Sequence, residues 1–247
     1  GKKVDGRKFN GGNKGCGRKP KAVELKLVEK VTNTILHTES GEKVFCFIHN
    51  NKGKRTLIPV PDFALVNYDW AYNMNIQRKE HQVELLKNLE DLATATETSN
   101  TFAYNFQGCA SMCIIGLFTS IECYVNDIIP ENFNYVVSQT KKTEIYNKEQ
   151  IQRNIPFMEK LTKVLPKALD GKNFFQHRTP TNAHIYKLKE LRDDIVHIKS
   201  DRTGQNNIDI LKRLLGFQYD ETFQAVFKLF NFYKEGFIEE CPCNQNF

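Results

Sequence analysis

The residues best suited to chemistry stand late in the chain, in Leu191-Arg-Asp-Asp-Ile-Val-His197. Arg192 offers a rigid, permanently charged donor fork that matches a phosphate. His197 can take or give a proton near neutral pH. The two are five positions apart, about 140° around an ideal helix, so the long arginine side chain must span that angle to meet the histidine at one group. Asp193 and Asp194 stand one turn or less before His197 and can fix its tautomer. An arginine and a histidine together suit RNA cleavage by the strand's own 2′-hydroxyl. One proton is removed, one is delivered and charge on phosphorus is stabilised, with no metal and no other cofactor required. A second pair, Arg178 and His184, spans Pro180 in an expected loop and reads as incidental.

These side chains need a helix to carry them. Leu188, Leu191 and Ile195 recur at helical spacing, which predicts an amphipathic helix over 181–197. Further helical patterns cover 77–96, 100–129, 148–169, 207–215 and 220–235. Pro156 and Pro166 kink or split the third of these. Asp170-Gly171, Gly216 and Gly236 supply stops. Five or six such helices with short links make a bundle, so the expected fold is mostly α. Ahead of it, residues 1–19 hold six of the 14 glycines and form a flexible basic arm. A helix follows at about 20–37, from Val28, Val31 and Ile35. Two β-rich runs around His49-Asn-Asn-Lys-Gly53 then predict a small hairpin. A connector over 62–74 carries Tyr68, Trp70 and Tyr72, which are expected to pack on the bundle in preference to stacking on bases. The expected division is thus 1–19 (arm), 20–75 (helix, hairpin and connector) and 76–247 (bundle).

Leu191-Arg-Asp-Asp-Ile-Val-His197 resembles the R-x4-6-H motif of HEPN domains, with Asp193 where that superfamily often has Asn. Upstream, Ser120-Ile-Glu-Cys-Tyr-Val-Asn-Asp127 is similar to the S-x-E-x-x-x-N-E segment on an earlier long helix of several HEPN families. The resemblance covers roughly residues 76–236. It implies a HEPN-like bundle of five to six helices and a metal-independent endoribonuclease of a toxin–antitoxin or phage-defence system. Arg192 would bind and polarise the scissile phosphate, His197 would transfer protons, and Asp193 or Asp194 would orient the histidine. Glu122 and Asn126, which share a helix face, would support them or form a polar pair that locks helix packing. The implied partners are RNA as substrate, a second copy of the chain sharing a composite cleft, and an antitoxin. Some HEPN domains have lost activity, so the alternative is an inactive dimer that serves as a nucleic-acid-binding or protein-interaction module.

The net charge of +6 over 247 residues is unevenly placed. Residues 1–30 hold ten Lys and Arg against three acids, so the remainder is close to neutral. Attraction to nucleic acid is therefore concentrated at the front. Lys14, Arg18, Lys19 and Lys21 are the candidate phosphate contacts. Gly17-Arg-Lys-Pro20 loosely resembles a minor-groove hook for DNA. The longest apolar run, 113–118, is short, which predicts no membrane-spanning helix and no membrane partner. No secretory signal is expected either. Seven cysteines without regular spacing, three of them (Cys109, Cys113, Cys123) in an apolar stretch, suggest buried thiols in a reducing cytoplasm. Cys241-Pro-Cys243 reads as a frayed tail. The sequence has no Gly-rich phosphate loop, no H-E-x-x-H and no G-x-S-x-G elbow, which argues against those enzyme classes.

Overall fold

The computed structural model describes residues 33–37, 43–89, 97–140, 142–198 and 202–239. The arm, with Lys14, Arg18, Lys19 and Lys21, lies outside the described residues, as does the Cys241-Pro-Cys243 tail. The chain divides into two units, Gly1–Asp62 and Phe63–Phe247.

The described part of the first unit is an antiparallel sheet of β1 (Asn33–His37), β2 (Lys43–Asn51) and β3 (Lys54–Pro59), in that order. Lys52 and Gly53 turn the chain with positive φ of 49° and 83°, the left-handed geometry that tight hairpins require. The Gly53 N–H donates to Asn50 Oδ1 at 2.9 Å. Phe47 stands between Asn33 of β1 and Ile58 of β3. The expected hairpin thus has a third strand. The helix expected over 20–37 is corrected at its end, because Asn33–His37 is a strand; residues 20–32 lie outside the described residues. Thr34 and Ile35 are β-branched and favour an extended chain, and pairing with β2 satisfies the backbone.

The second unit is mostly α. It starts with α1 (Phe63–Leu89) and α2 (Glu97–Ile128). Helix therefore begins at Phe63, and the expected connector over 62–74 is its first three turns. Tertiary packing decides this: Ala64, Leu65, Tyr68, Ala71 and Asn75 are buried at helical spacing. The Tyr68 ring meets Phe223 edge-on at 5.4 Å, and Tyr72 meets the same ring at 5.8 Å. The two tyrosines pack on the bundle as expected, while Trp70 stays 41% exposed. Helices α1 and α2 run antiparallel, with Trp70 and Ala71 beside Gly116 and Gln77 beside Cys109.

A hairpin of β4 (Tyr135–Gln139) and β5 (Lys142–Tyr146), which the helical patterns do not predict, follows. Next come α3 (Lys148–Asn154) and α4, a run made of Phe157–Glu159, a π-helical turn Lys160–Val164 and Leu165–Ala168. The single helix expected over 148–169 thus splits at Ile155 and Pro156. The last three helices are α5 (Pro180–Val196), α6 (Gln205–Leu215) and α7 (Tyr219–Tyr233).

Helix α2 is the axis of the unit and packs on α1, α5, α6 and α7. Phe106, Ile114, Leu117, Phe118 and Ile121 are at most 1% exposed. The Tyr124 hydroxyl donates to the Phe230 carbonyl at 2.7 Å. The stretch Asn100–Ile128 is long and apolar enough to cross a membrane. This corrects the expectation drawn from short apolar runs: Gly, Ser, Thr and Asn interrupt the runs without adding charge. Its apolarity has a use here, since 56% of the most apolar window is buried within the unit.

Candidate functional site

Helix α5 positions Arg192 and His197. Its start is fixed by Thr179, whose hydroxyl oxygen accepts from the Asn182 N–H at 3.1 Å, and by Pro180 in the first turn. Asn182, Ile185, Leu188 and Leu191 form the buried stripe. Asn182 also donates to the carbonyls of Phe174 and His177, at 3.3 and 2.7 Å, which ties the preceding loop to the helix. The helix ends at Val196. His197 caps it, its N–H donating to the Asp193 carbonyl at 2.9 Å.

Arg192 points inward and His197 outward. The guanidinium carbon sits 4.7 Å from the centre of the Phe118 ring of α2, within cation–π range. One terminal nitrogen lies 3.7 Å from Glu122 Oε2 on α2, and the other donates to Asp193 Oδ1 at 3.0 Å. The two sequence segments with the family-like motifs are therefore joined directly, side chain to side chain. His197 is exposed. Its ring has no hydrogen-bond or ion-pair partner among the described residues.

Neither aspartate orients His197. Asp193 accepts from Lys189 at 2.5 Å and from Arg192. Burial works against its ionisation, but these two cations outweigh it and hold the carboxyl below its usual range. Asp194 pairs with Arg213 of α6. Two acids in the last turn of a helix oppose the helix dipole; Lys189, Arg192 and Arg213 offset them.

Glu122 and Asn126 share the α2 face as expected but look to different partners. Glu122 meets Arg192. Asn126 Oδ1 accepts from Lys160 Nζ at 3.1 Å, and the same ammonium donates to the Gln152 carbonyl at 2.7 Å. Lys160 is 5% exposed. Burial pulls its ammonium below the usual lysine range, and the Glu122 charge acts against that pull. Glu122 thus ties α2 to α5 through Arg192, and Asn126, one turn further along α2, ties it to the π turn of α4 through Lys160. Ser120 stays apart, its hydroxyl donating to the Leu117 carbonyl of its own helix at 2.7 Å.

Lys160, Phe118 and Arg213 are missing from the sequence-based site. Lys160 is the informative omission. It sits in Met158-Glu-Lys-Leu-Thr-Lys163, where its charge reads as solvent-facing like that of exposed Lys163. It stands three residues after Phe157 and four before Val164, both buried, so helical spacing places it on the core face.

His184 is a half-buried member of α5. Its Nδ1 stands 3.3 Å from Thr222 Oγ1 on α7. An open groove of about 420 Å³ beside it is lined by Lys187, Glu190, Arg213 and Phe217, among others. A second, of about 500 Å³, is lined by Glu190, Asp193, Asp194 and Arg213. Arg192 and His197 line neither groove. Among the described residues, no three His, Cys, Asp or Glu side chains converge to hold a metal ion.

No family model, curated protein or solved structure matches the chain.

Proposed function

We propose that the chain is a HEPN-type, metal-independent endoribonuclease that acts as a homodimer in a toxin–antitoxin or phage-defence system. The observation that carries this reading is the contact between Arg192 on α5 and Glu122 on α2, at 3.7 Å. It joins the two motifs in the order in which the resemblance has them. Glu122 and Phe118 hold the guanidinium partly exposed, at 27% of its side chain, so that a phosphate can replace Asp193 as its partner. His197 at the helix end is free to move a proton to or from the ribose or the leaving oxygen. Asp193 and Asp194 occupy the cations beside them, so one copy offers RNA little free positive charge; the substrate is held where α5 helices of two copies meet and two Arg192 side chains supply it.

The test is cleavage of single-stranded RNA by the full chain in EDTA, with Arg192→Ala and His197→Ala each abolishing it while the fold is kept. A magnesium requirement contradicts the mechanism. The second reading, a non-catalytic nucleic-acid-binding or protein-interaction module, is favoured by one observation: Asp193 and Asp194 pair with Lys189, Arg192 and Arg213, leaving neither to orient His197. Absence of cleavage by an intact dimer selects that reading.

A further inference from the structure

The first unit carries a sheet face that the proposed chemistry does not use. Strand alternation places Phe45, Phe47 and His49 on one side of β2 and Val44, Cys46 and Ile48 on the other. The second side is the covered one, with Cys46 2% exposed. The first side is open: Phe45 is 58% and Phe47 38% exposed. Register brings Lys54, Thr56 and Ile58 of β3 onto that open side, opposite Asn51, His49 and Phe47.

Charge decides what such a face takes. From Lys43 to Pro61 the sequence holds four cations, Lys43, Lys52, Lys54 and Arg55, and no acid. Lys52, Lys54 and Arg55 are exposed at the turn and the start of β3. Two exposed phenyl rings thus share one face with Lys54, about 13 and 20 Å along β2 from the cationic turn. A flexible polyanion with flat apolar groups satisfies both features: the backbone meets the lysines and the bases stack on the rings. Phe45 and Phe47 are two residues apart on one strand, about 7 Å, a spacing comparable to that of successive nucleotides in an extended strand. A duplex keeps its base faces stacked inside and offers the rings nothing.

We infer that the open face of β2 and β3 is a docking platform for single-stranded RNA, with bases on Phe45 and Phe47 and phosphates on Lys52 and Lys54. The choice of RNA over DNA rests on the proposed ribonuclease function.

The test is fluorescence anisotropy with a labelled decauridine RNA and the full chain carrying His197→Ala. In that background cleavage plays no part, so failure of the ribonuclease reading and failure of the platform are distinguishable. Phe45→Ala with Phe47→Ala weakens binding about tenfold or more and leaves the salt dependence unchanged. Phe45→Tyr with Phe47→Tyr keeps the rings and keeps the affinity. Lys52→Ala with Lys54→Ala lowers the salt slope by about 1.4, the value for two phosphate contacts on a single strand. Unchanged affinity in the double alanine variant overturns the platform, as does duplex RNA competing as well as the single strand. Equal affinity for the matching single-stranded DNA overturns the choice of RNA. A change in particle mass in place of a change in affinity identifies the face as a contact between copies and also overturns it.

Discussion

At the scale of single residues, the polar contact between α2 and α4 depends on Lys160. Its ammonium supplies the donor for Asn126 Oδ1 and for the Gln152 carbonyl, and it lies buried. Lys160→Met fills the space but leaves both acceptors without it, which costs about 1–3 kcal/mol. The urea midpoint of the variant falls accordingly, and an unchanged midpoint contradicts the assignment. His184 gives a pH-dependent prediction. The Thr222 hydroxyl donates to the Gln218 carbonyl at 2.6 Å, so its oxygen accepts and His184 Nδ1 donates to it. Burial lowers the His184 pKa from 6.5, Lys187 adds to this and Glu221 acts against it. A base with a lowered folded pKa binds its proton first in the unfolded chain. Stability is therefore complete above the ordinary imidazole value and falls as the pH drops below it. In thermal melts from about pH 7.5 to pH 5, His184→Asn loses less stability on acidification than the parent. Equal losses contradict the account.

At the scale of elements, α1 and α2 approach each other tightly at Gly116. A β-carbon there would stand 3.0 Å from Trp70 Cε3 and 3.3 Å from the β-carbon of Ala71. The exposed indole can give way, but Ala71 is fixed to the α1 backbone and fully buried. Gly116→Val therefore pushes the helices apart and destabilises the unit by about 1–3 kcal/mol, read by the thermal midpoint; an unchanged midpoint contradicts this packing. Some of these elements are legible in the sequence and some are not, for physical reasons. The α5 boundaries follow from Pro180 and the stripe of Leu188 and Leu191, and α6 and α7 follow from their own apolar periods and glycine stops. The start of α1 does not, because Tyr68-Asp-Trp-Ala-Tyr72 alternates like a linker and is helical through contacts with Phe223 and Phe230 of a distant helix. The β4–β5 hairpin is hidden because its strands have only five residues each, too few to show a period. The Glu122 contact with Arg192 accords with the two-motif pattern, whereas the Asn126 contact with Lys160 is hidden because a lysine on the core stripe of Phe157, Leu161 and Val164 reads as a surface charge.

At the scale of the whole molecule, the proposed site is incomplete in one copy, since Asp193 and Asp194 take up the cations beside Arg192. Light scattering at tens of micromolar is expected to give about twice the 28.6 kDa of the chain. A strictly monomeric particle contradicts the composite site. The central claim is that Arg192 and His197 make the ribose 2′-hydroxyl the nucleophile. Its most direct measurement is end-group analysis of RNA fragments produced by the full chain in EDTA. The account predicts 2′,3′-cyclic phosphate ends, absent with His197→Ala, and no fragments from RNA methylated at the 2′ position. Fragments ending in a free 3′-hydroxyl, or cleavage that persists in His197→Ala, would contradict it.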